Sequence, residues 1–314
     1  MAKSVLNAPH FQDEKAAFAY VEAHLWADGR SCPHCGVVGE SKAMNGKTTR
    51  IGLYKCYACR KPFTVRMGSI FESSHLPLHL WLQVIHLMCA SKKGISTRQI
   101  QRMLSCSMKT AWFLTHRIRE TMAVPAGTGP LLGGLGMVVE ADEAELGVSK
   151  HTRPRKGGRK ANMKFVTLVE RGGAVRSRKI TGANGPISMD VHKALYAEID
   201  KTSILHTDGA KHYRYSKFRQ QHENVDHNSE FVRDGDFGHR VHCNSAEGYF
   251  SIFKRGLVGT YQHMSEQHLE RYLAEFDFRM SHREKLGFND VSRASAALMA
   301  TKGKRLTYRT TVGA

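Results

Sequence analysis

The chain has 314 residues, 41% of them hydrophobic, which is too long for one ordinary domain and apolar enough for two or three cores. Lysine and arginine total 47 against 28 acids, and this net charge of +19 is spread along most of the chain, favouring a polyanionic partner with nucleic acid first. No run of about 18 apolar residues is available to span a membrane, and the opening Met-Ala-Lys-Ser-Val-Leu-Asn lacks the apolar core of a secretory signal.

Residues 8–28 read as a helical lead-in, with Phe11, Phe18, Val21, Leu25 and Trp26 near helical spacing. Cys32-Pro33-His34-Cys35 and Cys56-Tyr57-Ala58-Cys59 follow, twenty residues apart. Two CxxC pairs at that separation offer four thiolates, a closed tetrahedral shell for a structural Zn2+. His34 sits inside a knuckle and is a bystander. Asn45-Gly46 and the alternation of Tyr54, Cys56, Phe63 and Val65 predict short hairpins. The seven cysteines, an odd count with four in these pairs, suit a reducing compartment, so a cytoplasmic protein is expected. A zinc ribbon is specific for metal and weakly specific for function.

Residues 76–90 predict a helix on Leu78, Leu80, Trp81, Val84, Ile85, Leu87 and Met88, ended by Lys92-Lys93-Gly94. Ser96 then caps a short helix, Ser105-Cys106 turns the chain, and a second helix runs from Ser107 past Lys109 and Arg117. Helix, short turn, helix with basic residues in the second is read as the helix-turn-helix pattern for DNA, in preference to an ordinary helical hairpin with a solvated basic face. Pro125, Gly127, Gly129, Pro130, Gly133, Gly134 and Gly136 mark the domain boundary.

Past it, residues 137–146 predict a strand with Glu140 and Asp142 on one face and Val139, Ala141 and Glu143 on the other. Four acids in six residues repel one another, and a metal ion is the economical reason to gather them. Lys150, Arg153, Arg155, Lys156, Arg159 and Lys160 form a basic loop, either a solvated insertion or a phosphate contact. Strands are predicted at 165–169, 174–180 and 203–209 and a helix at 188–199. The last of these strands ends in Asp208-Gly209, which projects an acid into a turn.

In the stretch His242 to Gly256, Ala246, Tyr249, Phe250 and Phe253 make one apolar helical stripe. Glu247 and Lys254 stand seven residues apart at its edge, nearly in line, with Asn244 and Ser251 further round. A last amphipathic helix is expected over 266–281, as core or an oligomer face. Brought together, Asp142, Asp208 and Glu247 offer three carboxylates to two Mg2+ (or Mn2+) ions, the requirement for in-line phosphoryl displacement.

These pieces, in this order, resemble the ISXO2-like transposases of the IS1595 insertion-sequence family over most of the chain. The resemblance rests on the ribbon, the helical segment, Asp142-Glu143, His206-Thr207-Asp208-Gly209, Asn244-x-x-Glu247-Gly248 and Lys254-Arg255-Gly256. It implies a DDE-type transposase that binds terminal inverted repeats and cuts and joins DNA. A bacterial, nucleoid-associated, cytoplasmic protein that acts on DNA as a homo-oligomer is expected. Asp142 matches the first acid and Asp208 the second. The third is Glu247 or Asn244, the carboxylate being the stronger ligand, with Glu140 and Glu143 as substitutes for the first. Lys254 and Arg255 would grip the DNA backbone. The expected architecture is α+β and multidomain: a helical lead-in (1–30), a zinc ribbon (31–75), a helix-turn-helix-like segment (76–122) and a linker (123–136), followed by a ribonuclease H-like α/β catalytic domain (137–290) and a basic, loosely held C-terminal tail (291–314). The rivals are a zinc-ribbon DNA binder with a vestigial catalytic domain and a Mg2+-dependent nuclease without strand transfer.

Overall fold

A proline and an aspartate punctuate the start of the chain. Pro9 occupies the first position of α1 (Pro9–Gln12), and Asp13 caps α2 (Glu14–Leu25) by accepting from Ala16 N at 2.7 Å. The computed structural model describes residues 4–146, 163–181, 187–211, 213, 221–225, 230–304 and 306. It falls into two units, 1–122 with 288–314, and 123–287.

In the first unit three short antiparallel strands follow, β1 (Ser41–Ala43), β2 (Tyr54–Cys56) and β3 (Pro62–Phe63), paired in that order with Tyr54 opposite Phe63. Their core is small: Cys32, Tyr54, Cys56 and Phe63, with Trp26 and Cys59 against it. Helix α3 (Leu78–Ala90) buries Trp81, Val84, Ile85 and Met88. Its free N-terminal amides are met by Glu14, whose carboxylate accepts from Leu78 N at 2.8 Å and His79 N at 3.1 Å. Ser96 caps α4 (Thr97–Leu104), Ser105 turns the chain at a left-handed φ of 48°, and α5 (Met108–Met122) leaves at once. A two-helix hairpin with a three-residue turn therefore forms where it was expected.

The second unit is built on a five-stranded sheet in the order β6-β5-β4-β7-β8. Strands β4 (Val138–Leu146), β5 (Met163–Glu170) and β6 (Val175–Ile180) run antiparallel, whereas β7 (Ile204–Thr207) is parallel to β4 and β8 (His222–Asn224) is parallel to β7. Helix α6 (Ile187–Glu198) supplies the β6-to-β7 connection and covers one face, its Val191, Ala194 and Leu195 packing with Val139, Ala141, Val166 and Leu168. Strands β9 (Arg233–Asp234) and β10 (Arg240–Val241) form a minimal hairpin before α7 (Asn244–Gly256). Helices α7 and α8 (Leu269–Ser281) cover the other face with Tyr249, Phe250, Phe253, Leu273 and Phe276 on Ala144, Phe165 and Val169. Alternation along β4 thus serves two cores, odd positions towards α6 and even ones towards α7.

Two expected boundaries move. Stretch 123–136 is bonded into the second unit rather than serving as a linker: Leu132 is buried, donates to Glu198 O at 2.7 Å and accepts from Asp200 N at 2.9 Å. Residues 291–304 of the expected tail are held as well. Helix α9 (Asp290–Met299), opened by a capping box between Asn289 and Ser292, packs on α3 and buries Ala297 and Leu298. Arg293 donates to Cys89 O at 2.9 Å at the end of α3, and Lys304 to Glu120 O and Thr121 O at 2.9 and 3.1 Å at the end of α5. Basic residues there close helix C-termini instead of trailing in solvent.

Candidate active site

The pairing of β4 with β7 decides the site. Glu140 stands opposite His206, and the same parallel register carried two residues further sets Asp142 beside Asp208, where β7 has just ended. Ligand sites in open α/β sheets lie at such carboxyl ends of parallel strands. Gly209 makes the turn possible with φ of +79°, and a Cβ there would come within 2.7 Å of the Asn224 amide. Asp208 accepts from Ala210 N at 3.1 Å, and Asp142 from Glu143 N at 2.7 Å.

Carboxylate oxygens of Asp142, Glu143 and Asp208 lie within 4.8 Å of one another. Burial, reinforced by Asp208 and Glu143 and more weakly by Glu247, pushes the Asp142 carboxyl up to about 7. A divalent cation relieves such repulsion, so the donor set fits a hard metal ion bound by oxygen. Alternation places Glu143 on the far face from Asp142, yet its carboxylate joins the cluster where β4 runs on past the end of β7. Tyr213, fully buried, donates its hydroxyl to Glu143, and burial followed by that carboxylate holds the phenol well above its usual range.

Glu140, weighed as a substitute for the first acid, is committed elsewhere. It is fully buried and accepts from Ser245 N at 2.8 Å, Ala246 N at 3.2 Å and Ser245 Oγ at 3.0 Å, so it caps α7 from a neighbouring strand. The Arg171 Nε donates to it at 2.7 Å. Asn244 and Glu247 are exposed in the first turn of α7, near enough for Glu247 to act on Asp142 and Cys243 electrostatically but outside the three-carboxylate cluster. His206 is buried, and burial followed by the Arg171 charge lowers it to about 3, so it is neutral and its Nδ1 accepts from Arg171 at 3.1 Å. His242 Nδ1 faces Glu140 at 3.2 Å.

Among the expected DNA contacts, Lys109, Lys254 and Arg255 are exposed. Arg117 is not: it is buried, donates to Glu72 O at 2.6 Å and lies over the rings of Trp81 and Phe113. It is a core arginine, since only the first turn of α5 reaches solvent on that side. Lys150, Arg153, Arg155, Lys156, Arg159 and Lys160 lie outside the described residues. Arg171, Tyr213 and Glu223 escaped the sequence reading. Arg171 stands before Gly172-Gly173 and looks like a surface turn, and Tyr213 lies in a basic, polar run, so neither carries a periodic signal.

In the first unit the Cys32–Cys59 and Cys35–Cys56 sulfurs are each 3.7 Å apart, and all four fall within 4.8 Å. Tetrahedral zinc at about 2.3 Å from each thiolate calls for sulfurs about 3.8 Å apart, so the four fit that ion. His34 instead faces Pro62 O at 3.2 Å.

A four-cysteine cluster thus lies ahead, in sequence, of a domain with clustered carboxylates at a sheet's carboxyl edge. Residues 12–62 match the transposase zinc-ribbon domain of the IS1595 group, and residues 131–281 match the ISXO2-like transposase domain. The chain therefore carries both characteristic parts of the IS1595 transposases, as its motifs suggested. It is also similar to an uncharacterized protein in transposable element ISH50 of Halobacterium salinarum, 23% identical over 286 residues that cover 86% of this chain and 91% of that one. Among the described residues no helix is long and apolar enough to cross a membrane.

Proposed function

We propose that the protein is a metal-dependent transposase that binds the terminal inverted repeats of its insertion sequence, cuts the DNA and joins the ends to a target. The adjacency of Asp142 and Asp208 at the carboxyl edge of β4 and β7 carries this reading. The sheet order, three antiparallel strands continued by two parallel ones with helices on both faces, supports a ribonuclease H-like fold.

Asp142 and Asp208 would hold the catalytic ions, with Glu247 completing the set from α7 and Asn244 orienting it or the DNA. Two Mg2+ or Mn2+ ions supply, when bound, an activated water or 3′-hydroxyl and charge neutralisation at the leaving oxygen. Tyr213 keeps Glu143 fixed beside the two aspartates, limiting its freedom to swing away. Lys254 and Arg255, exposed in the last turn of α7, face phosphate. Cys32, Cys35, Cys56 and Cys59 hold the structural zinc, and the exposed residues Arg98, Gln99, Arg102 and Lys109 of α4 and α5 offer a DNA-reading surface.

The test uses labelled terminal repeats and a target plasmid, with Mg2+ or EDTA. Asp208→Asn is expected to abolish cutting and joining while end binding persists. Comparable strand transfer by that variant would defeat the proposal, and cut but unjoined products from the wild type would reduce it to a nuclease.

A further inference from the structure

Resting on that reading, we propose that Arg171 and Glu140 form a positioning pair that sets the spacing of the three metal-binding acids, and that metal affinity depends on it. The argument is one of connectivity. Arg171 donates from Nε to Glu140 at 2.7 Å, from Nη1 to Arg240 O at 2.8 Å, and from Nη2 to His206 Nδ1 at 3.1 Å and His242 O at 3.0 Å. Glu140 passes the connection on to Ser245 through its amide and hydroxyl, and to Ala246 N.

Each arm ends at the same offset from an acid. Glu140 lies two residues before Asp142, His206 two before Asp208, and Ser245 two before Glu247. One guanidinium and one carboxylate therefore join β4, β7 and the start of α7 at equivalent points. The two carbonyls on 240–242 fix the approach of the chain to α7 as well. Glu223 Oε2 stands 3.4 Å from His206 Nε2 without a hydrogen bond between them.

Glu140 is fully buried while Arg171 is only partly so, and such an ion pair is weak evidence for stability and better evidence for a specified geometry. A planar guanidinium meets four acceptors in directions that an ammonium cannot reproduce. Asp142 and Asp208 already share a sheet register, but Glu247 comes from a helix that packs on the sheet mainly through apolar side chains, and such packing tolerates small slides. The Arg171–Glu140 pair removes that freedom at the helix end nearest the metal.

The experiment measures Mn2+ binding to the full-length protein by calorimetry, the Mn2+ needed for half-maximal cleavage, and end binding in EDTA. Arg171→Lys and Glu140→Gln are expected to raise both Mn2+ midpoints at least tenfold, with end binding unchanged and cleavage partly recovered at high Mn2+. Ser245→Ala removes one hydroxyl contact, keeps the backbone bonds and serves if the stronger variants do not fold; a two- to fivefold shift is expected from it. Folded variants with a lowered Tm but wild-type Mn2+ midpoints would overturn the proposal. Failure of the wild type itself to bind Mn2+ would instead remove the catalytic reading on which it rests.

Discussion

Asp277 on α8 shows how much one buried carboxyl contributes. Tyr249 donates to it at 2.6 Å, and Ser177 donates through its amide at 2.6 Å and its hydroxyl at 2.8 Å, joining α7, α8 and β6. Burial nonetheless outweighs these bonds and pushes the carboxyl up to about 6. Because the folded value is raised, the group's stabilising contribution is fully present below about pH 4 and is lost as pH rises through about 6. Asp277→Asn cannot ionise. Its stability relative to wild type should therefore rise by on the order of 3 kcal/mol between pH 4 and pH 7, read from urea unfolding across that range. A difference flat with pH would mean that the carboxyl titrates normally. Arg117 teaches a related lesson. Sequence reports its charge but not its burial, so a core arginine reads there as a DNA contact.

At the scale of elements, the ribbon depends on its metal. Three strands of three, three and two residues enclose four buried side chains, too small a core to stand on apolar burial alone. Stripping zinc, or Cys56→Ser, should unfold this segment first, seen as a red shift of Trp26 emission in a variant retaining only that tryptophan. Unchanged emission after chelation would show that the ribbon stands without zinc. Cysteine spacing made this element legible because a closed zinc shell needs four ligands and two CxxC pairs supply all of them. The α4–α5 hairpin was legible for a different reason: Ser96 and Ser107 cap its helices and Ser105 turns between them. Helix α9 was not, because Ala294, Ala297 and Leu298 make a faint stripe beside conspicuous basic residues.

For the whole molecule, the chain leaves the first unit at 122 and returns to it at 288. Truncation after Gly287 would remove the α9 face packed on α3 together with the bonds from Arg293 and Lys304 to the ends of α3 and α5. The loss should be several kcal/mol, confined to the first unit, and visible in hydrogen exchange as lost protection of α3 and α5 with β4 and β5 unaffected. Equal loss of protection in both units would contradict the division. The net charge of +19 acts over the molecule rather than at a point. DNA binding should accordingly fall by about a thousandfold between 50 and 200 mM salt if roughly six phosphates are engaged; a flat response would mean that the charge serves another end.

Local chemistry could be read along the chain. Thiolate spacing, helix caps, the apolar stripe of α7 and the acids at 142 and 208 depend on near neighbours or on periodicity. The folded chain alone decided which distant groups meet. Parallel pairing of β4 with β7 brought Asp142 to Asp208, assigned Glu140 to the start of α7, drew Glu143 and Tyr213 into the cluster and made Arg171 its neighbour. Strand register is a property of pairs, set by packing on both faces of the sheet, and no single segment carries it.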